Sequence, residues 1–228
     1  MTELDNIRNY LMSTYNYDPG IYQGYANESY NNKILARLDW NINKDHRFNI
    51  RYNQVESATP SFISTSTSGT GFNFPNNGGR NNPGHLHFSN SNYTQEANQY
   101  SLAAELNSSF GSKLSNTLRG SFTHQNDPRG SESDVFPLVD IMKDGTAFTT
   151  FGYEPFTYGN LRDVQTYSFT DNLTMSLGNH ELTLGLQMDF STTKNGFQRF
   201  GTGAYRFNSW DDFVKGANPN DYAITYSL

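Results

Sequence analysis

Leu173-Thr174-Met175-Ser176-Leu177-Gly178-Asn179-His180-Glu181-Leu182-Thr183-Leu184 reads as two strands joined by a two-residue turn. Apolar residues fall on every second position on both sides of Gly178-Asn179, the period of a pleated strand with one apolar face. The turn fixes the pairing: Met175 meets Leu182, Leu173 meets Leu184, and further out Phe169 meets Met188. A slip of one residue would send that whole set to the opposite face, so turn length and period test each other. They agree here. Tyr167, Phe169, Leu173, Met175 and Leu177 stand against Thr166, Ser168, Thr170, Asn172 and Thr174. On the return strand Leu182, Leu184, Leu186, Met188 and Phe190 stand against Glu181, Thr183, Gln187 and Asp189.

The same grammar occurs twice more. Residues 33–42 alternate Ile34, Ala36, Leu38, Trp40 and Ile42 with Lys33, Arg37, Asp39 and Asn41, and only Leu35 breaks the rule. After Asn43-Lys44-Asp45, residues 46–55 place Phe48, Ile50 and Tyr52 opposite Arg47, Asn49, Arg51 and Asn53. Residues 99–110 carry Tyr100, Leu102, Ala104, Leu106 and Phe110 on one face, with Ser101, Glu105 and Asn107 behind. Gly111-Ser112-Lys113 turns the chain, and Leu114, Leu118 and Phe122 resume the apolar face against Arg119 and Ser121. Three-residue turns pair Trp40 with Phe48, Leu38 with Ile50, Leu106 with Leu118, and Leu102 with Phe122.

Between the hairpins lie long connections, 57–94, 125–163 and 192–221, all at the end opposite the tight turns. Loops beyond about 12–15 residues are uncommon in compact domains and usually carry function. These are rich in Ser, Thr, Gly and Asn (64–71, 76–84) and hold Phe72, Phe74, Phe151, Tyr153, Phe156 and Tyr158. Residues 2–15 read as a helix, with Thr2 as cap, Asp5 in the first turn and Leu4, Ile7 and Leu11 on one face, ending before Asp18-Pro19-Gly20. A helical turn is expected at 209–215 behind Ser209, and a last strand from Tyr222 running to Leu228.

Strands of about 10 residues, tight turns at one end and long loops at the other describe an antiparallel, up-and-down outer-membrane β-barrel. Hydrocarbon satisfies no backbone polar group, so strands there pair around a closed cylinder, with lipid on one face and water on the other. Aromatics fall toward the loop ends (Tyr52, Tyr100, Phe122, Tyr167, Phe169, Phe190) and near the turns (Trp40, Phe48, Phe110), as two interfacial girdles would. The competing expectation is a soluble β-sandwich, a surface adhesion or ligand-binding module whose apolar faces pack together. About seven strands, the last incomplete, fall short of the smallest even-numbered barrel, so the sequence reads as a piece of a larger one.

Composition narrows the classes further. The 228 residues carry a formal charge of −6, and 15% are aromatic, with 15 Tyr and 17 Phe, which is not the profile of a disordered chain. The lack of cysteine excludes disulfide scaffolds, thiolate metal sites and cysteine nucleophiles. No Lys/Arg cluster marks a nucleic-acid partner, and no run of about 18 apolar residues marks a membrane helix. Met1-Thr2-Glu3-Leu4-Asp5 lacks the basic and apolar regions of a signal peptide.

Ile7-Arg8-Asn9-Tyr10-Leu11, Thr14-Tyr15-Asn16-Tyr17-Asp18-Pro19-Gly20, Lys33-Ile34-Leu35-Ala36-Arg37-Leu38-Asp39-Trp40-Asn41-Ile42 and His46-Arg47-Phe48-Asn49-Ile50-Arg51-Tyr52 resemble the barrel of TonB-dependent outer-membrane receptors. The likeness is to the Oar-like group with a carboxypeptidase-regulatory-like domain, common in Bacteroidetes. Tyr205-Arg206-Phe207-Asn208-Ser209 with Asp211-Asp212-Phe213 and Gly216 is similar to the same group. The resemblance implies a 22-stranded barrel with a filled lumen. It also implies energy from an inner-membrane TonB complex through a TonB box. On that reading residues 1–32 are an extracellular loop with a short helix, residues 33–228 are barrel strands and loops, and the signal peptide, TonB box and plug lie outside the sequence.

The polar faces carry Arg37, Asp39, Arg51, Glu105, Arg119 and Asp189, candidates for lining a substrate path, although any water-filled lumen or plug interface needs such residues. His85-Leu86-His87 sets two imidazoles on one side of a strand, without a third metal ligand nearby. Asp127, Asp134, Asp140 and Asp144 share a loop but lack EF-hand spacing. No Gly-x-Ser-x-Gly elbow occurs, so neither an enzyme nor a cofactor or metal is expected, a barrel lipase being the weakest alternative. The expected partners are outer-membrane lipid, the TonB complex and an unidentified substrate.

Overall fold

A computed structural model describes residues 2–66 and 79–226. Its first sheet is a meander of long antiparallel strands: β1 (Tyr30–Asn41), β2 (His46–Ser61), β5 (Asn98–Phe110), β6 (Leu114–Gly130), β9 (Leu161–Leu177) and β10 (His180–Gly196). The short β4 (Tyr93–Glu96) continues the line of β5 between β2 and β6. Every register expected from turn length is present: Trp40 opposite Phe48, Leu38 opposite Ile50, Leu106 opposite Leu118, Leu102 opposite Phe122, Met175 opposite Leu182, and Phe169 opposite Met188. Gly178 takes the left-handed conformation, φ 66°, at the tightest turn, where a side chain would be strained.

The strands outrun their expected lengths. β6, β9 and β10 are each 17 residues long, while about 9–11 residues cross a bilayer. The length beyond what a bilayer crossing would need, about a third of the strand, carries what the connections build. That construction is a second, five-stranded sheet rather than irregular loops. Its members are β3 (Leu86–His87), β7 (Leu138–Lys143), β8 (Thr146–Phe151), β11 (Ala204–Phe207) and β12 (Asp221–Ala223), in the order β12-β11-β7-β8-β3. Each of the three connections contributes, and β11 lies parallel to β7 as β3 does to β8. The strand expected from Tyr222 to Leu228 is corrected: β12 ends at Ala223 and joins this second sheet, and residues 227–228 lie outside the described ones.

Helix α1 (Glu3–Tyr15) begins at the expected cap, with Thr2 and Asp5 exchanging side-chain and backbone hydrogen bonds. It lays Leu4, Ile7 and Leu11 on the second sheet, against Val139, Ile141, Phe151 and Phe207. Full burial of one such side chain contributes about 1.5–3 kcal/mol. The short α2 (Trp210–Val214), capped by Ser209, packs Trp210 and Phe213 on the same core, beside Tyr10 and Tyr15 of α1. This unit is called the cap below.

The buried hydrophobic clusters among the described residues lie in the cap, and the six long strands contribute no residue to them. Their apolar faces are bare instead, with Leu38 at 64% and Leu184 at 59% exposure. The sandwich expectation fails on that point, because no second sheet among the described residues covers the alternating face. Leu184→Arg is expected to cost about 2 kcal/mol in the membrane-embedded protein, and Thr183→Arg little, because only the first puts a charge against lipid. Equal urea midpoints for the two variants would contradict the assigned faces.

Polar residues interrupt the bare face, Ser108 on β5 lying 2.9 Å from His46 on β2, and a second pair on β6 and β9. Register places Asn116 and Asp171 among its leucines, opposite Leu173 and Leu118. They meet across β6 and β9, Asn116 Nδ2 donating to Asp171 Oδ1 at 2.5 Å, so each break in the apolar pattern is answered by the other.

Candidate lumen wall and cap

Pairing carries the polar face across the sheet in rows. One row runs Arg37, Arg51, Ala103, Ser121, Ser168, Asp189, and the next, one step toward the turns, runs Asp39, Asn49, Glu105, Arg119, Thr170, Gln187. All six candidates therefore share one face. Five of them gather over β1, β2, β5 and β6; Asp189 lies four strands from Arg51, about 19 Å at ordinary strand spacing.

The charges within the group are unevenly matched. Arg37 grips Asp39 with two hydrogen bonds of 2.7 Å. Arg119 pairs with Glu105, which also accepts from Asn107 Nδ2 at 2.8 Å and Asn49 Nδ2 at 3.4 Å. Arg47 donates to Asn41 Oδ1 at 3.0 Å, and Asp189 accepts from Gln187 at 3.0 Å. The Arg51 side chain makes no hydrogen bond or ion pair among the described residues. A recess of about 370 Å³ opens there, lined by Arg37, Asn49, Arg51, Ala103, Glu105 and Arg119.

In the cap the remaining candidates separate. Asp140 is fully buried and bound by Arg80, at 2.8 Å from Nε and 2.7 Å from Nη2, with both side chains at 2% exposure or less. Thr150 donates to the same carboxylate at 2.6 Å, and His85 Nε2 lies 2.8 Å from the Thr150 hydroxyl. That hydroxyl gives its only proton to Asp140, so His85 donates from Nε2. Burial pushes its imidazole down to about 4, the Asp140 carboxylate opposing.

His87 turns to Asn92 at 2.8 Å, so the two imidazoles are tied to different partners. Asp127 pairs with Arg162, and Asp144 sits with Gly145 at positive φ in the turn between β7 and β8. Asp127, Asp140 and Asp144 therefore go to separate places, and the described residues, Asp134 among them, contain no cluster of three or more metal-ligating side chains. Phe151 is buried against Phe88, Phe136, Trp210 and Phe213, and Phe156 stacks on Phe197. Those aromatics pin connection to connection; Phe72 and Phe74 lie outside the described residues.

Arg80, Thr150 and Glu154 were not singled out by the sequence. A signal existed for part of this network: Leu138-Val139-Asp140-Ile141-Met142 puts one carboxylate in an apolar run, the mark of a buried and therefore paired acid. Asp144-Gly145 between two apolar-rich runs was likewise a hairpin turn. Glu154 is completely buried, with Oε2 accepting from the Phe156 amide and the Thr157 hydroxyl.

Residues 4–226 match the sequence profile of a family described as an outer membrane beta barrel domain. No curated protein matches the chain, and no solved structure does.

Proposed function

The chain belongs to the outer membrane beta barrel domain family, and from that premise we propose that it is one wall and the outer cap of a TonB-dependent receptor of the Oar-like group. Its place is the outer membrane. The receptor would move a substrate too large for porins, with energy from an inner-membrane TonB complex acting on a plug inside the completed cylinder. Arg37, Asp39, Arg51, Glu105, Arg119 and Asp189 would line the passage, and lipid would cover the opposite face. No catalytic role is part of this reading.

The observation that carries it is the division of apolar surface. A water-soluble protein buries its alternating face, whereas here that face stays bare while a separate core forms in the cap. The sheet's polar side and the cap's position at the long-connection end suit a passage with an outer lid.

Orientation is tested with single cysteines, since the chain has none of its own. On intact cells a membrane-impermeant maleimide should label Glu28→Cys and Lys215→Cys, and reach Asn179→Cys only after permeabilisation. The reverse pattern would turn the cap toward the periplasm and end the proposal.

A further inference from the structure

We propose that Arg51, with Arg37 beside it, forms an oxyanion-binding site on the lumen wall, taking a carboxylate or phosphate group carried by an occupant of the lumen. This rests on the barrel reading above and names the chemistry of that same face.

The argument is one of elimination by register. Arg51 sits on β2, between two strands that are both present, so its neighbours across the sheet are known: Arg37 on one side, Ala103 on the other. Two guanidinium groups directly opposite each other on one face repel. The carboxylates on the diagonals are Asp39 and Glu105, and each is already engaged, by Arg37 and by Arg119. The wall therefore supplies no counter-charge to Arg51.

The imbalance extends beyond one residue. On the lumen face of β1, β2, β5 and β6, Lys33, Arg37, Arg47, Arg51, Arg119 and Arg129 stand against Asp39, Glu105 and Asp127, in a chain whose formal charge is −6. A cationic wall in an acidic protein favours negatively charged occupants. The planar guanidinium fork matches a carboxylate or phosphate with two parallel hydrogen bonds. Ala103, with a single methyl group, leaves open the side of Arg51 away from Arg37, and the recess of about 370 Å³ accommodates a small oxyanion.

Phenylglyoxal, which modifies accessible guanidinium groups, tests the site in the purified full-length protein in micelles, with modification at each arginine read by mass spectrometry. Arg51 should be modified faster than Arg119. Inorganic pyrophosphate at ten times its dissociation constant should slow modification of Arg51 about tenfold, since only the unoccupied fraction reacts; that result assigns the site to a soluble anion. Resistance of Arg51 from the outset, relieved when protein carboxylates are amidated, assigns it to a carboxylate of the polypeptide instead. Insensitivity to both pyrophosphate and amidation overturns the proposal. Arg51→Gln should leave surface labelling of Glu28→Cys unchanged, so the site can fail while the outer-membrane reading stands.

Discussion

Asp140→Ala is expected to destabilise the cap by about 3–5 kcal/mol, the usual penalty for stranding one partner of a buried ion pair. Arg80 would keep its charge at 2% side-chain exposure with its carboxylate removed, and the Thr150 hydroxyl would lose its acceptor. Arg80 comes from the first long connection and Asp140 from the second, so the pair bolts two connections together. Unfolding of the cap can be followed by Trp210 fluorescence in a Trp40→Phe background, because Trp40 reports from the bare face of β1 and Trp210 from the cap core. A fall in the Trp210 urea midpoint, with heat-resistant strand signal retained, is the expected result. The paired replacement Arg80→Met with Asp140→Leu should recover most of the loss, since an apolar pair of similar volume removes both charges. An unchanged midpoint in Asp140→Ala would mean that the pair does not hold the cap.

Acid should loosen the same unit through His85. Unfolded, an imidazole takes its proton near 6.5; in the cap, burial lowers that to about 4. Between those values the folded chain binds fewer protons than the unfolded one. The stabilisation held by a neutral His85 is thus complete above about pH 6.5 and lost progressively down to about 4, a change of about 3 kcal/mol. Burial lowers His87 as well, in the same direction. Glu154 works the other way. Burial raises its carboxyl and leaves Oε1 without a hydrogen-bond partner, so protonation above the ordinary carboxylate range relieves it. The test is therefore a difference between variants: Trp210 urea midpoints at pH 7, 5.5 and 4.5 should fall more steeply in the parent than in His85→Gln. Parallel curves would remove His85 as the cause.

The legibility of these features follows the distance over which they are encoded. Trp40 finds Phe48, and Leu173 finds Leu184, through a turn of a few residues and a period of two, both readable by counting. The helix from Glu3 to Tyr15 was readable for the same reason, since cap and apolar stripe lie within a few turns. Alternation alone put the six candidates on one face of the sheet. Their inequality was not visible. That Arg51 faces Arg37 follows from one hairpin and Asp39 is engaged within β1 itself, but that Glu105 is engaged by Arg119 depends on the pairing of β5 with β6. Asn116 and Asp171 break the period in two different hairpins, and only the pairing of β6 with β9 brings them together.

Alternation, turn chemistry and composition by themselves determined the hairpins, their registers, the bare apolar face and the membrane setting that such a face requires. Those properties belong to residues near one another along the chain, where backbone geometry leaves few choices. Only the tertiary structure decided the cap. Its strands, its buried Arg80–Asp140 bond and its core come from connections that meet because the long strands carry them clear of the bilayer to one end. Segments without a shared period leave no trace of their partners in sequence, and contact between them is set by where the hairpins deliver them.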